Sequence, residues 1–212
     1  MARPRTKPPE TRRDELIAAA RRLFLRHGVG ATTIEQITAG AGVAKGTYYL
    51  YFSGKEDILA ALRDRFAQQL LARIAAAVAA RPSDDWPGKL AAWARAGVAA
   101  YLDASRLHDI LFYGSPPPSH EGLTDNIVID HLAALLREGN AVKAWAVADP
   151  RVAALFLFSG LHGVVDAGGK AMRINRDALT HNVEQLCFRA VGLTPGRARR
   201  RASRLYRGAG LG

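Results

Sequence analysis

The chain has 212 residues, of which 49% are hydrophobic and 23% are charged, proportions that are ordinary for a soluble globular protein with one large domain or two small ones. The single cysteine, Cys187, excludes an internal disulfide framework, and its apolar neighbours predict a buried thiol in a cytoplasmic protein. Residues 1–10 run into charged residues and residues 152–169 include His162 and Asp166, so we expect neither a signal peptide nor a membrane span.

The net charge of +11 is concentrated at the two ends of the chain. Residues 1–55 carry ten basic and four acidic residues, a net charge of +6, and residues 196–212 carry six arginines and no acid, again +6. The 140 residues between them carry fourteen basic and fifteen acidic groups, a net charge of −1. This division favours a protein whose N-terminal part meets a polyanion while its middle has another role.

The chain begins with a basic, proline-rich segment, residues 1–10, which we expect to be a disordered arm. Such an arm either contacts DNA phosphates or a minor groove, or is only a solvated terminus. The first helix is predicted over residues 12–27, with Thr11 as its cap, because its apolar residues recur at the spacing of one helical face. Gly28 ends it.

Two short helices around a glycine turn follow the first helix. Thr32 and Glu35 have the spacing of a capping box that opens the second helix, and Gly42 permits a tight turn before a third helix over residues 43–49. A second capping pattern, at Ser53 and Glu56, opens the fourth helix. Two short helices in this arrangement are either an ordinary helical hairpin or a helix-turn-helix, whose second helix enters the major groove of DNA.

Helical periodicity continues to about Gly192, and no strand-type alternation competes with it. We therefore predict an all-α chain of about nine helices. The predicted fourth helix begins at Ser53 and stops at Pro82, the fifth covers residues 86–104, and the sixth ends at Gly114. The seventh is capped by Thr124 and the ninth by Asn175. The eighth is opened by Asp149 and Pro150 and stopped by Gly168 and Gly169. The arginine-rich tail that follows, residues 196–212, is expected to be disordered; it either adds non-specific DNA affinity or only keeps the protein soluble.

The stretch from Thr32 to Ile58 resembles the N-terminal domain of TetR-type (tetracycline-repressor-like) transcriptional regulators. The family pattern appears here as Thr32 or Thr33, Ile34, Ile37, Ala41-Gly42-Val43, Gly46-Thr47, Tyr49, Tyr51-Phe52, Lys55 and Ile58. Tyr48 and Leu50 depart from the residues that are common there. The resemblance implies a helix-turn-helix DNA-binding domain over residues 11–55 and a larger helical ligand-binding and dimerisation domain over residues 56–195.

The resemblance also implies which side chains approach DNA. These are Thr33, Lys45, Gly46, Thr47, Tyr48, Tyr49, Tyr51 and Lys55. A lysine donates to guanine O6 and N7, and a glycine lets the backbone come close to the base edges. The tyrosine hydroxyls, the start of the second helix and the charge of Lys55 are expected to hold phosphates, which position a protein without reading sequence. Phe52 is expected to be a core residue.

A pocket for a largely apolar small molecule is expected on helices four to eight, although each candidate residue is also an ordinary core residue. The candidates are Phe66, Trp93, Phe112, Tyr113, His131, Trp145, Phe158 and His162. His162 and Asp166, four residues apart on one helix, also have the spacing of a metal pair, but no third ligand is evident. We therefore predict no metal and no cofactor.

The resemblance to TetR-type regulators implies a transcriptional repressor that binds a palindromic operator as a homodimer, through its last two long helices, and is released by a small-molecule effector. Two alternatives stay open: a ligand-responsive activator of the same fold, and a non-specific nucleoid-type DNA-binding protein. The second would account for both basic ends but has no need of a near-neutral body of 140 residues. No nucleophile elbow, zinc-protease, P-loop or Rossmann motif is present, so we predict that the protein is not an enzyme.

Overall fold

The computed structural model describes residues 8–112, 126–170 and 175–193. Its helices are α1 Pro9–His27, α2 Ile34–Ala41, α3 Lys45–Tyr48, α4 Lys55–Ala79, α5 Trp86–Asp103, α6 Ser105–Phe112, α7 Ile127–Ala141, α8 Pro150–Lys170 and α9 Arg176–Ala190. No strand occurs in this part of the chain, and the predicted all-α fold is confirmed. The predicted helix cap Thr124, most of the basic arm and the arginine-rich tail lie outside the described residues.

The chain divides into two compact units. The first consists of Met1–Phe66 and Ala104–His120, and the second of Ala67–Asp103 and Glu121–Gly212. Within the three described ranges, no helix combines the length and the hydropathy that a membrane-spanning segment requires.

The first unit is built around the apolar face of α1. Leu16, Ile17, Ala20 and Phe24 on this helix are almost fully buried, as the helical spacing of these residues predicts. The same unit buries further apolar residues from α2, α3, the connection after α3, α4 and α6, namely Ile37, Tyr48, Phe52, Ile58, Leu59, Leu62, Leu107 and Leu111. The DNA-reading helices predicted from the sequence therefore rest on a shared core.

Small side chains bring α1 and α2 close together. The position of a Cβ on Gly40 would lie 3.5 Å from the Cβ of Ala19, which is ordinary van der Waals contact. Arg22 of α1 donates from Nη2 to the carbonyl oxygen of Gly40 at 3.0 Å, near the end of α2. This bond satisfies one of the carbonyls that a helix leaves without an intrahelical partner.

The second unit packs α5 against α8 and α9, and α7 against α8. A Cβ on Gly97 of α5 would lie 3.2 Å from a methyl group of Leu161 on α8, so the glycine permits a close approach of these helices. Arg95 of α5 holds Glu184 of α9 through two hydrogen bonds, of 2.6 and 3.0 Å. Cys187 is 2% exposed, which confirms the predicted buried thiol, and burial raises its pKa to about 12.

The turn after α7 is held by Trp145. Its indole Nε1 donates to the carbonyl oxygen of Leu136 at 2.8 Å, and its ring lies against Gly139. A Cβ on Gly139 would be 2.1 Å from the indole, closer than any real contact, so this position requires glycine. The ring also meets that of Trp86 edge to face, with centroids 6.2 Å apart.

Several predicted helix ends are corrected by the structure. α1 begins at Pro9, three residues before the prediction, because proline at the first helical position needs no hydrogen-bond partner for its nitrogen. α4 begins at Lys55, two residues after the predicted start. The cap of α7 is Asn126, whose side chain accepts a hydrogen bond from the N–H of Val128 at 2.9 Å.

The end of α8 also differs from the prediction, because Gly168 and Gly169 do not stop it. The helix continues to Lys170. A glycine inside a helix costs only about 1 kcal/mol relative to alanine and keeps its N–H donor, so a packed helix tolerates the pair. The predicted start is confirmed: Asp149 Oδ1 accepts from the N–H groups of Arg151 and Val152, at 2.8 and 3.0 Å.

Candidate nucleic-acid interface

The capping box of α2 uses Thr33 and Gln36, one residue later than predicted. The Thr33 hydroxyl accepts from the N–H of Gln36 at 3.2 Å, and Gln36 Oε1 accepts from the N–H of Thr33 at 2.9 Å. Thr32 is instead buried and donates from its hydroxyl to the carbonyl oxygen of Gly28 at 2.7 Å. Both pairs fit the capping pattern, and the bond from Thr32 back to Gly28, four residues earlier, selects between them.

Gly42 sets the turn between α2 and α3. Its φ is +66°, in the left-handed region, and its N–H donates to the carbonyl oxygen of Ala39 at 3.1 Å. The next N–H, of Val43, donates to Thr38 at 3.0 Å. A side chain at this φ would be strained, so glycine defines the angle at which the chain enters α3.

The predicted base-reading residues occupy the first turn of α3. Lys45 and Gly46 are exposed and Thr47 is half-buried. A Cβ on Gly46 would meet no atom within 4 Å, so packing inside the protein does not demand glycine here. The surface over Gly46 is therefore open to a close approach by a partner.

Lys45 forms an ion pair that the sequence did not indicate. Its Nζ lies 2.6 Å from Oε1 of Glu35, in the first turn of α2. The hydrogen bond from Lys45 is the main reason that the pKa of Glu35 lies below its ordinary value, and the same bond raises the pKa of Lys45. Both side chains are more than half exposed, so a competing partner can reach the pair.

The tyrosines of this stretch do not share one environment. Tyr48 is 0% exposed, and its hydroxyl donates to the carbonyl oxygen of Gly54 at 2.9 Å. Burial is the first reason that its pKa is raised to about 12. Its predicted phosphate contact is contradicted, because α3 turns this ring into the core beside Phe52, with ring centroids 5.5 Å apart. Phe52 is 3% exposed, so its predicted place in the core is confirmed.

The outer side of α3 and the turn after it carry Tyr49 and Leu50. Tyr49 is 50% exposed and Leu50 is 79% exposed, whereas Tyr51 is half-buried. Tyr49 and Tyr51 remain predicted phosphate contacts. An exposed leucine at this place is available for apolar contact with thymine methyl groups.

Lys55 was predicted to hold a phosphate, and the structure shows that its ammonium group has acceptors within the protein. Its Nζ donates to the carbonyl oxygens of Val29 and Thr32, at 3.1 Å each, and lies 3.5 Å from that of Gly30. The ammonium group therefore fastens the connection between α1 and α2 to the start of α4. The acceptors lie more than twenty residues away along the chain, so local sequence patterns could not reveal them.

Comparison with known proteins places this geometry in a family. Residues 16–62 match the model of "Bacterial regulatory proteins, tetR family". The chain is 38% identical over 63 residues to the HTH-type transcriptional repressor KstR2 of Mycobacterium tuberculosis, an alignment that covers 30% of this chain and 32% of that protein. Residues 16–62 thus belong to the tetR family. The alignment spans about a third of the length of the curated relatives it matches.

Two solved structures resemble more of the chain. The fatty acid degradation regulator FadR from Bacillus halodurans superposes with a TM-score of 0.67 at 26% identity, covering 86% of this chain and 96% of that one. RolR in complex with resorcinol has a TM-score of 0.67 at 24% identity, covering 92% of this chain and 95% of that one. The second likeness, at this identity, shows the fold alone.

The candidate ligand residues belong to both units. Phe66 and Phe112, in the first unit, have ring centroids 6.1 Å apart. Phe158 and His162, in the second unit, have centroids 6.1 Å apart, and His162 also bonds to the Tyr101 hydroxyl. Tyr113 lies outside the described residues. Trp145 lies in the turn after α7, where its indole N–H donates to the carbonyl oxygen of Leu136 and holds the turn in place.

Two other candidates carry buried nitrogen atoms. Trp93 is 1% exposed and His131 is half-buried. Among the residues that the structure describes, Trp93 Nε1 and His131 Nδ1 have no hydrogen-bond partner. A buried donor or acceptor without a partner costs about 1–3 kcal/mol, so a bound molecule that supplied one would be favoured.

Proposed function

We propose that the protein is a DNA-binding transcriptional repressor of the tetR family, which binds a palindromic operator as a homodimer and releases it when a small molecule binds. The observation that carries the proposal is the first turn of α3, where Lys45, Gly46 and Thr47 are accessible on a helix positioned by the turn at Gly42. This is the placement that a helix-turn-helix uses to bring side chains and backbone to base edges in the major groove.

Dimerisation is supported by an apolar face on α8 and α9. Phe156 is 72% exposed and Val152 is 61% exposed on α8, and Leu186 is 51% exposed on α9. Added Cβ atoms on Gly160 and Gly163, on the same side of α8, would meet nothing within 4 Å, so a second helix can approach closely there. A second copy of this chain would cover the face, since two-fold dimers bury the same patch on both subunits.

Effector binding is supported by the unpartnered nitrogens of Trp93 and His131, which suit an aromatic or apolar molecule with a few polar groups. α4 contributes residues to both units, so an effector that displaces it would shift the population towards a dimer with another spacing of its α3 helices. Effector and operator would then oppose each other reciprocally.

Selection of bound sequences from a random DNA pool tests the proposal, followed by measurement of the ratio of operator to random-DNA affinity at several salt concentrations. We expect a palindromic site and a ratio of roughly 10³ or more. A ratio near one would instead favour a non-specific nucleoid-type protein. Small molecules would then be screened for release of the operator, and transcription from it in their absence would distinguish a repressor from an activator.

Lys45→Ala separates base reading from phosphate contact. If Lys45 reads a base, the variant loses discrimination at one position of the half-site, by about 1–3 kcal/mol, and binds random DNA nearly as before. Competition binding with operators substituted at each position measures this. A uniform loss on all sequences would show that Lys45 only contacts phosphate.

A further inference from the structure

The helices α2 and α3, which are proposed to read DNA, carry almost no charge. Between residues 33 and 54 the sequence contains one acidic residue, Glu35, and one basic residue, Lys45. The structure pairs them, with Nζ and Oε1 2.6 Å apart. This surface is the one that would meet DNA. The one basic side chain between residues 33 and 54, Lys45, is nevertheless paired with the carboxylate of Glu35 rather than left for a phosphate.

The pair is not explained by stability. The Lys45 and Glu35 side chains are 55% and 60% exposed, and ion pairs in such positions contribute little to folding because water screens them. The pair also joins the first turn of α2 to the first turn of α3. The turn at Gly42 already defines the angle at which the chain enters α3, so the pair is not needed for that. Its position on the accessible side of both helices suits a role in binding.

We propose that Glu35 is a specificity-determining residue, which withholds Lys45 from phosphates and opposes DNA that lacks a partner for both side chains. The inference rests on the proposed function. A guanine–cytosine pair fits both side chains: guanine O6 and N7 accept from a lysine, which is the commonest specific contact of that residue type, and cytosine N4 donates to a carboxylate. Where the base edge offers no amino donor, the carboxylate would face acceptors or phosphates without compensation, and binding would be weaker.

Without the carboxylate, Lys45 would be free to neutralise a phosphate in any sequence. Phosphate contacts supply the sequence-independent part of DNA binding and make it depend on salt. Glu35 therefore lowers the affinity for random DNA more than the affinity for the operator. The expected result is a higher ratio between the two affinities.

Glu35→Gln tests this with a side chain of the same shape and no charge. We expect the affinity for random DNA to rise about three- to ten-fold at low salt, and the slope of log affinity against log salt to steepen by about 0.9 per bound subunit. Operator affinity should change less, so the specificity ratio falls. Selection with the variant should lose its preference at one guanine–cytosine pair of each half-site.

Two further variants make the result specific to the pair. Glu138→Gln, on exposed α7 surface, changes the net charge equally and should leave the salt slope unchanged. In a Lys45→Gln background, Glu35→Gln should no longer steepen the slope, because no ammonium group remains to be released. Thermal unfolding of Glu35→Gln should match the wild type, since both partners are exposed.

The outcomes distinguish this inference from the proposed function. A wild-type ratio of operator to random-DNA affinity near one would overturn both. A high wild-type ratio that Glu35→Gln leaves unchanged, together with an unchanged salt slope, would overturn only the role of Glu35. Equal steepening by Glu138→Gln would also overturn it, because the effect would then follow net charge alone.

Discussion

Replacing each of two adjacent tyrosines by phenylalanine tests the assigned faces of α3. Tyr48→Phe removes a hydroxyl that donates to the carbonyl oxygen of Gly54 at 2.9 Å, from a ring that is 0% exposed. A net hydrogen bond of this kind contributes about 1 kcal/mol, and the half-buried Gly54 carbonyl regains part of its solvation from water. We expect a loss of about 1 kcal/mol in the free energy of unfolding and a melting temperature lower by about 2–4 °C.

The DNA affinity of Tyr48→Phe should be unchanged, because the lost hydroxyl points into the protein. Tyr49→Phe should behave in the opposite way. Tyr49 is 50% exposed, and loss of one phosphate contact should weaken binding about three- to ten-fold on operator and random DNA alike. Circular dichroism melts and fluorescence anisotropy with both DNAs measure the two effects. Weaker DNA binding by Tyr48→Phe at wild-type stability, with Tyr49→Phe unaffected, would refute the assigned faces.

Three further predictions concern the second unit. Phe156→Glu places a charge on the exposed apolar face of α8, and we expect it to raise the dimer dissociation constant at least ten-fold by analytical ultracentrifugation while each monomer stays helical. Gly139→Ala puts a Cβ 2.1 Å from the Trp145 indole, so it should lower the free energy of unfolding by about 2–4 kcal/mol in urea denaturation. Burial lowers the pKa of His131 and His162, so the unfolded chain binds more protons and stability should fall as the pH drops below about 6.5. Melts from pH 8 to pH 5 measure this fall, and it should be smaller when both histidines are replaced by glutamine.

The sequence predicted most of the fold because its signals are local. Pro150 after Asp149, the asparagine at position 175 and the periodic apolar residues of α1 each act within one or two turns of helix, where propensity and capping dominate. The errors arose where two local patterns compete. Thr32 and Thr33 both fit a capping box, and a further local bond, from the Thr32 hydroxyl to the carbonyl oxygen of Gly28, decides between them.

The candidate interface was harder to predict because the faces of a four-residue helix cannot be read from periodicity. Adjacent residues on a helix point about 100° apart, so Tyr48 enters the core while Tyr49 stays outside. The ammonium group of Lys55 is held by carbonyl groups of the connection after α1. These acceptors lie far from residue 55 in the sequence, so the residues around Lys55 do not indicate them. Glu35 is the one acidic residue between residues 33 and 54, but no local pattern indicates that its carboxylate pairs with Lys45.

These corrections change where the electrostatic attraction to DNA must come from. With Lys55 fastened to backbone carbonyls and Lys45 paired to Glu35, the reading helices themselves offer little net attraction to a polyanion. Yet residues 1–55 carry a net charge of +6, which therefore resides mainly in the basic residues that precede α2. Counterion release at those residues would be the same for every DNA sequence, whereas the α2 and α3 surface gains only from sequences that satisfy its side chains. Affinity for DNA is thereby assigned to the basic residues that precede α2, and discrimination between sequences to the surface of α2 and α3. Because the two are separate, the single carboxylate of Glu35 can raise specificity without abolishing binding.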